Sequence, residues 1–232
     1  FESKGDAYRK VRNTFRFLLG NLHGFDPARD RVGADRLEEI DRWVSSRLQE
    51  LVGTVTAAYE AFEFHRVIAE LYHFCAVELS AFYLDLTKDR LYSNAPGAST
   101  RKAAQTVLHR VLDTLTRLLA PILVHTAEEV WKAMPGTGAE ASVHLADWPA
   151  VDPAARDAAL EADWKTLLQV RGDVARELEK LRAAKTIGTA TQAEVHLAAS
   201  PDHPAAPLLE RKRALLPALF QVARVHLTRG PL

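Results

Sequence analysis

Apolar residues recur at spacings of three and four residues throughout positions 37–62. This period places them on one face of an α-helix, because a helix completes a turn every 3.6 residues or so, about 100° per residue. A long helix with one apolar face is stable only when other elements cover that face, so it constrains the rest of the chain. The stripe consists of Leu37, Ile40, Val44, Leu48, Leu51, Val55, Ala58 and Phe62.

Other segments before position 134 carry the same period. It predicts helices over about 4–22 and about 64–92, and a further helix that carries Ala104 to Leu118. Pro121 is expected to end or kink that helix, because proline has no amide hydrogen to donate. Another helix is expected to begin near Thr126, which has capping-box spacing from Glu129. Together these segments predict an antiparallel helical bundle that ends near Met134.

The pattern changes near residue 150. A long charged helix is predicted over about 155–185. The segment AEVHLAA and part of FQVARVHLTR then alternate apolar and polar residues with a period of two. The residues PAAPLLERKRALL lie between those two segments, which gives a strand, helix, strand order. We therefore predict a mainly α protein, with a helical-bundle domain over 1–150 and a small α+β subdomain over 151–232.

The composition limits the classes of partner. Lys and Arg total 30 and Asp and Glu total 30, so net charge does not indicate a nucleic-acid partner, and any such partner must meet a local patch. Cys75 is the only cysteine, which excludes a disulfide framework and a cysteine zinc site and predicts a buried apolar role. No signal peptide or long uninterrupted apolar run is present, so we expect a cytoplasmic chain with no membrane partner.

Motifs for catalysis are missing. Glu70 and His73 form one Glu-x-x-His pair, whereas di-iron bundles need two. The nine histidines never reach the His-Glu-x-x-His spacing of zinc proteases. We expect no catalytic residue, no cofactor site and no metal site in this chain.

Basic residues cluster at three places, of which the long late helix carries one, consisting of Arg171, Arg176, Lys180, Arg182 and Lys185. On the first helix, Arg9, Arg12, Asn13 and Arg16 fall within one strip of surface beside the apolar face, while Arg211, Lys212 and Arg213 form the only run of three. A guanidinium donates two hydrogen bonds to phosphate and stacks on unpaired bases, and an amide both donates to and accepts from a base edge. Arginine beside an apolar face also commonly covers that face with its stem, so both interpretations remain open.

Two other charged segments have structural interpretations. On the long late helix, Asp173, Glu177 and Glu179 interleave with basic residues and favour intrahelical ion pairs. In FYLDLTKDRLY, a partly buried charge network that includes Lys88 and Arg90 is one interpretation. An RNA-facing role for these two residues is the other.

Several segments carry a family resemblance in unbroken order. They are DAYRKVRNTFRFLLGNLHGFDP, DRW at Asp41 to Trp43, YEAFEFHRV, FCAVELSAFYLDLTKDRLY and APILVHTAEEVW, with a weaker match at KTIG. The chain resembles the class Ia aminoacyl-tRNA synthetases, and among them the bacterial isoleucyl-tRNA synthetases, in the region that follows the catalytic domain. The equivalent region of a valyl-tRNA synthetase is the alternative.

The resemblance implies an anticodon-binding bundle followed by a junction subdomain. It implies two partners, the anticodon stem-loop of isoleucine tRNA and the catalytic domain of the same polypeptide, and no DNA. The whole enzyme would use ATP and in some members zinc, but the adenylation motifs are absent here, so we expect the fragment to be catalytically inactive. A structural docking module without base recognition remains an alternative, and the missing motifs oppose a free-standing enzyme.

The resemblance also implies that the first helix faces the anticodon. The candidate tRNA-binding residues are Arg9, Arg12, Asn13, Arg16, Lys88, Arg90, Arg211, Lys212 and Arg213.

Overall fold

The computed structural model describes residues 2–136, 140–200 and 203–230. The chain forms two compact units, Phe1–Asp157 and Ala158–Leu232, which divide a few residues after the composition change noted near position 150. The first unit is helical, and the second combines helices with a two-stranded sheet. The predicted fold class, a helical bundle followed by a small α+β part, is confirmed.

The described residues of the first unit form seven α-helices. Their bounds are α1 Glu2–Asn21, α2 Pro27–Asp30, α3 Glu39–Glu60, α4 Phe64–His73, α5 Leu84–Tyr92, α6 Ser99–Leu119 and α7 Val124–Ala133. Helix α6 contacts α1, α3, α5 and α7 and therefore forms the centre of the bundle. Its Leu108, Leu112 and Leu115 are fully buried, as are Phe15 and Leu18 of α1 and Leu48 of α3.

One continuous helical path runs from α4 into α5, as the sequence predicted. Its middle, Phe74–Tyr83, is wound as a π-helix, which periodicity did not indicate. By length and mean hydropathy, 1.3 over an 18-residue window, Phe64–Tyr92 is comparable to a membrane-spanning helix. In this unit it is a core helix, because Phe74, Leu79 and Tyr83 are buried and the π segment packs on α1 and α3.

The single cysteine lies in that π segment. Cys75 is fully buried, which confirms the predicted role as a small apolar side chain. Burial raises the pKa of its thiol to about 12, because the thiolate would lose its hydration. The thiol is therefore protonated and unreactive at neutral pH.

Asp41, in the first turn of α3, is a buried charge whose carboxylate accepts four hydrogen bonds. Its side chain is fully buried and accepts hydrogen bonds from the Tyr83 hydroxyl at 2.8 Å and from the Glu38 amide at 3.1 Å. Arg90 donates to both of its carboxylate oxygens, at 2.9 and 2.7 Å, and also lies 3.3 Å from a Glu38 carboxylate oxygen. The network joins the start of α3, the end of the π segment and α5.

Burial and the neighbouring charges shift the pKa values of Arg90 and Tyr83. Burial opposes the positive charge of Arg90, but the bonds to Asp41 outweigh that effect and raise the pKa of Arg90. Burial and the neighbouring Asp41 charge raise the pKa of Tyr83 well above its ordinary value, so its hydroxyl remains a donor. A second pairing, in which Arg47 donates to both oxygens of the nearly buried Glu78 at 3.0 and 2.9 Å, joins α3 to the π segment again.

The predicted capping box at Thr126 is wrong. Helix α7 begins two residues earlier, at Val124, and Leu123 in its N-cap position makes no side-chain capping bond. The Thr126 hydroxyl lies instead 3.0 Å from the Tyr8 hydroxyl of α1. A tertiary hydrogen bond therefore uses the group that a local cap would have used.

His109 of α6 is held in one neutral tautomer. Its Nε2 lies 2.8 Å from the Pro135 carbonyl oxygen, which only accepts, so Nε2 donates. Its Nδ1 then accepts from the Arg31 guanidinium at 3.3 Å. Burial lowers the pKa of His109, and the Arg31 charge lowers it further.

The residue after Pro135 in this turn must be glycine. Gly136 has φ +72°, and a Cβ there would lie 2.2 Å from Pro27 Cγ.

The second unit places a parallel pair of strands beside short helices. Its elements are α8 Ala158–Ala183, β1 Glu194–Ala199, α9 Ala206–Arg211, α10 Leu216–Phe220 and β2 Arg224–Arg229. Strands β1 and β2 pair in parallel, with Glu194 opposite Arg224 and His196 opposite His226. Along α8 the predicted intrahelical pairs are present, as Arg176 with Asp173, Lys180 with Glu177 and Arg182 with Glu179.

Replacing Asp41 with asparagine should cost about 3–5 kcal/mol of folding free energy, because Arg90 would keep its buried charge without its bidentate partner. Urea unfolding at neutral pH measures the difference. The matched control is Asp6→Asn, which breaks an exposed pair with Arg9 and should cost less than about 1 kcal/mol. Equal, small losses in both variants would show that the buried network is not stabilising.

Protonation of His109 should also make the free energy of unfolding depend on pH. Its pKa is about 6.5 in an unfolded chain and lower in the folded unit, so below about pH 6.5 the unfolded chain binds a proton that the folded one does not. The free energy of unfolding should therefore fall as the pH drops from 7.5 to 5.5. His109→Gln, which keeps a donor for Pro135, should show a shallower fall, and parallel curves would contradict the assignment.

Candidate nucleic-acid interface

Helix α1 divides cleanly into a buried and an exposed face. Val11, Phe15, Leu18 and Leu22 are buried in the bundle. The four residues that we name the basic strip are all exposed: Arg9, Arg12, Asn13 and Arg16. The apolar period also placed Tyr8 on the core-facing stripe, but Tyr8 is 40% exposed. The sequence left open whether the arginines cover the core, and the structure exposes all four residues of the basic strip.

Contacts on both flanks fix the rotation of α1. On one flank, Lys10 Nζ donates to the Tyr72 hydroxyl at 2.9 Å, and the Thr14 hydroxyl lies 3.2 Å from that of Ser80. The hydrogen bond to Tyr72 raises the pKa of Lys10. On the other flank, Tyr8 meets α7 through the bond already described. Because α1 cannot roll, the basic strip keeps one orientation.

The basic strip has donors that the unit itself does not use. Arg9 pairs with Asp6 at 2.9 Å, in an exposed position. For Arg12, Asn13 and Arg16, no side-chain hydrogen bond or ion pair occurs among the residues that the structure describes. Arg12 and Arg16 are also like charges four residues apart on a helix, an arrangement that costs a few tenths of a kcal/mol, about 0.2–0.5, when no anion lies between them. An anion at this surface would relieve that repulsion.

Helix α5 borders the C-terminal half of α1. Asn21 Nδ2 donates to the Phe17 carbonyl at 2.9 Å and lies 3.5 Å from the Tyr92 hydroxyl. Tyr92 is 62% exposed, and Lys88, one turn before it, is exposed and paired with Asp85, which raises the pKa of Lys88. Tyr92 was not among the predicted site residues, because an aromatic residue at the end of an apolar helix reads as core in the sequence.

Arg90 must be removed from the candidate RNA-contacting residues. Its side chain is only 12% exposed, and its guanidinium is committed to Asp41 and Glu38. The sequence placed Arg90 beside Asp85 and Asp89 on its own helix, whereas its partners come from α3. The buried-network interpretation of FYLDLTKDRLY describes Arg90, and only Lys88 of that pair is open to solvent.

The run from Arg211 to Arg213 belongs to the second unit and is charge-compensated. Arg211 lies 3.2 Å from an Asp163 carboxylate oxygen of α8. Arg213 lies 3.9 Å from Glu210 and donates to the Leu227 carbonyl at 3.4 Å. Lys212 is half-buried. These contacts make the run a weaker anion site than the basic strip, although Arg211 and Arg213 remain exposed.

The first unit is a helical bundle in which Arg12, Asn13 and Arg16 of α1 and the aromatic Tyr92 of α5 are exposed, and these residue types suit contact with single-stranded or looped RNA. A family model described as the anticodon-binding domain of tRNA ligase matches residues 41–197, which is more than half of the chain. The chain belongs to this family. The match begins at Asp41 and ends within β1, and the basic strip precedes it.

The similar curated proteins agree with one another. The chain is 48% identical to an isoleucine–tRNA ligase of Syntrophotalea carbinolica over 96% of its length, 46% identical to one of Desulforamulus reducens over 96%, and 47% identical to one of Symbiobacterium thermophilum over 97%. In each case it covers 24% of the relative. The chain therefore spans about a quarter of the length of these relatives.

One solved structure is a weaker match. A LeuRS of Agrobacterium radiobacter, in a ternary complex with tRNA and LeuAMS, aligns over 64% of this chain and 16% of its own, with a TM-score of 0.42 and 24% identity.

Gly20 follows Arg16 by one helical turn, on the same side of α1. Nothing lies within 4 Å of the place where its Cβ would be, so packing does not require glycine there. Glycine in a helix is about 0.5–1 kcal/mol less favourable than alanine. Gly20→Ala should therefore stabilise the first unit by up to about that amount, as measured by urea unfolding, and a loss of stability would show an unseen packing role.

Proposed function

We propose that this chain is the anticodon-recognition part of an isoleucine–tRNA ligase and that α1 presents the surface that meets the anticodon stem-loop. The observation that carries the proposal is the basic strip, whose Arg12, Asn13 and Arg16 have no side-chain partner among the described residues, in a chain whose residues 41–197 match an anticodon-binding domain. The identity to isoleucine–tRNA ligases supports isoleucine tRNA as the partner.

The residues divide by chemistry. Arg12 and Arg16 donate paired hydrogen bonds to phosphate oxygens of the loop, which positions the RNA and makes the affinity depend on salt. Asn13 lies between them in sequence and offers an amide that reads a base edge. Tyr92, with its exposed ring, offers a stacking surface for an unpaired base, and Lys88 adds a charge nearby.

The contribution to the ligase reaction is positional. Holding the anticodon fixes the distance and direction to the distant acceptor end of the tRNA, and such orientation lowers the barrier of a reaction that other residues carry out. In this proposal the catalytic domain of the same polypeptide uses ATP to activate isoleucine in the cytoplasm, and any zinc belongs to that larger enzyme. The two ion-pair networks of α3 supply the rigidity that positioning requires.

Arg12→Glu should weaken binding of an isoleucine-tRNA anticodon stem-loop at least tenfold at moderate salt. The change reverses one charge of the basic strip and replaces attraction to phosphate with repulsion. The fold should survive, because glutamate four residues before Arg16 forms a favourable helical pair. Fluorescence anisotropy with a labelled stem-loop measures the affinity, and a scrambled loop reports the nonspecific part.

Arg110→Glu is the matched control, since Arg110 is also an exposed arginine within a helix of the first unit but lies on α6. It changes the net charge equally and should reduce binding less than threefold. Equal losses for the two variants would mean that only overall charge matters. Unchanged binding in both, with Arg12→Glu folded, would favour a docking module without RNA contact at α1.

A further inference from the structure

A cluster of possible metal ligands lies on the small sheet of the second unit. Glu194, His196 and His226 each place one ligand atom within 4.8 Å of the others. Glu194 and His196 are two residues apart on β1 and therefore share a face of the strand. His226 stands directly opposite His196 in the parallel register, which brings it to the same face.

The three side chains already interact. The imidazole rings of His196 and His226 are stacked, with centroids 4.6 Å apart and an interplanar angle of 15°. His226 Nε2 lies 3.0 Å from Glu194 Oε2. Arg224 lies 3.8 Å from the other oxygen of that carboxylate, Oε1, so the oxygen that faces the histidine is not the one nearest the guanidinium.

We propose that Glu194, His196 and His226 form a binding site for one divalent transition-metal ion of the zinc class. Two imidazoles and one carboxylate form a ligand set that binds metals of the zinc class in preference to magnesium or calcium. In a tetrahedral site, bonds of about 2.0–2.2 Å place ligand atoms roughly 3.3–3.6 Å apart. Separations near the 4.8 Å limit of the cluster must therefore shorten by about 1 Å, whereas His226 Nε2 and Glu194 Oε2, now 3.0 Å apart, must separate slightly. Rotation of the side chains provides this, since Glu194 and His196 are exposed and His226 is half-exposed.

Metal binding at this site has a defined consequence for the fold. The ion would bind His226 Nε2 in place of the hydrogen between this atom and Glu194. The single proton of the neutral His226 ring would then lie on Nδ1. Water occupies the remaining coordination position, because the cluster supplies three ligands. The ion would also join β1 to β2, the two strands of this sheet, and so stabilise the second unit by binding only its folded form.

The test is a titration of the purified 232-residue chain with Zn²⁺ by isothermal calorimetry. We expect one ion per chain, with affinity at least tenfold weaker in His196→Ala and in His226→Ala. His23→Ala is the matched control, because His23 is an exposed histidine of the first unit, and its affinity should equal that of the unaltered chain. An equal loss in all three variants, or no binding by the unaltered chain, would overturn the proposal.

A second measurement identifies the ligands directly. Among the nine histidines, only the ring resonances of His196 and His226 should shift in NMR spectra when one equivalent of Zn²⁺ is added. Zn²⁺ should also raise the thermal unfolding midpoint of the second unit in the unaltered chain and not in His226→Ala. Shifts at other histidines in place of these two would assign the ion elsewhere and reject this site.

Discussion

The buried carboxylate of Asp41 is the interaction on which the first unit depends. A carboxylate without water is tolerated only when donors surround it, and here the Glu38 amide, the Tyr83 hydroxyl and the Arg90 guanidinium do so. These donors come from the start of α3, the π segment and α5. Satisfying one charge therefore fixes three helical segments against each other, and with them the orientation of the exposed edge of α5 that carries Lys88 and Tyr92.

A chain of zero net charge presents a positive surface because most of its charges are paired locally. Along α8 the acidic residues pair with bases three residues later, and in the bundle Glu78 and Asp41 pair with arginines. Within the basic strip, Arg9 pairs with Asp6, whereas Arg12 and Arg16 have no such partner among the described residues. The field that a phosphate meets is set by this local excess and not by the sum over the chain.

The sequence predicted those features that depend on neighbours along one helix or strand. The apolar period located α1, α3 and the path from Phe64 to Tyr92, the interleaved charges predicted the pairs of α8, and alternation predicted β1 and β2. It failed where a partner comes from elsewhere in the chain. Thr126 looked like a cap and bonds to Tyr8. For Arg90 the sequence left a buried charge network and an RNA-facing role open, and the bond to Asp41 of α3 selects the network. The apolar period also gave no sign of the π winding of Phe74–Tyr83.

The sequence by itself determined the helical character of this protein, the two faces of α1 and the family resemblance, because each rests on residue types at fixed spacings along the chain. Only the tertiary structure decided which charges are free. Arg12 and Arg16 are open and Arg90 is not, although all three are arginines on helices. It also brought Glu194, His196 and His226 together, because the parallel pairing of β1 with β2 places residues side by side that are far apart in the sequence.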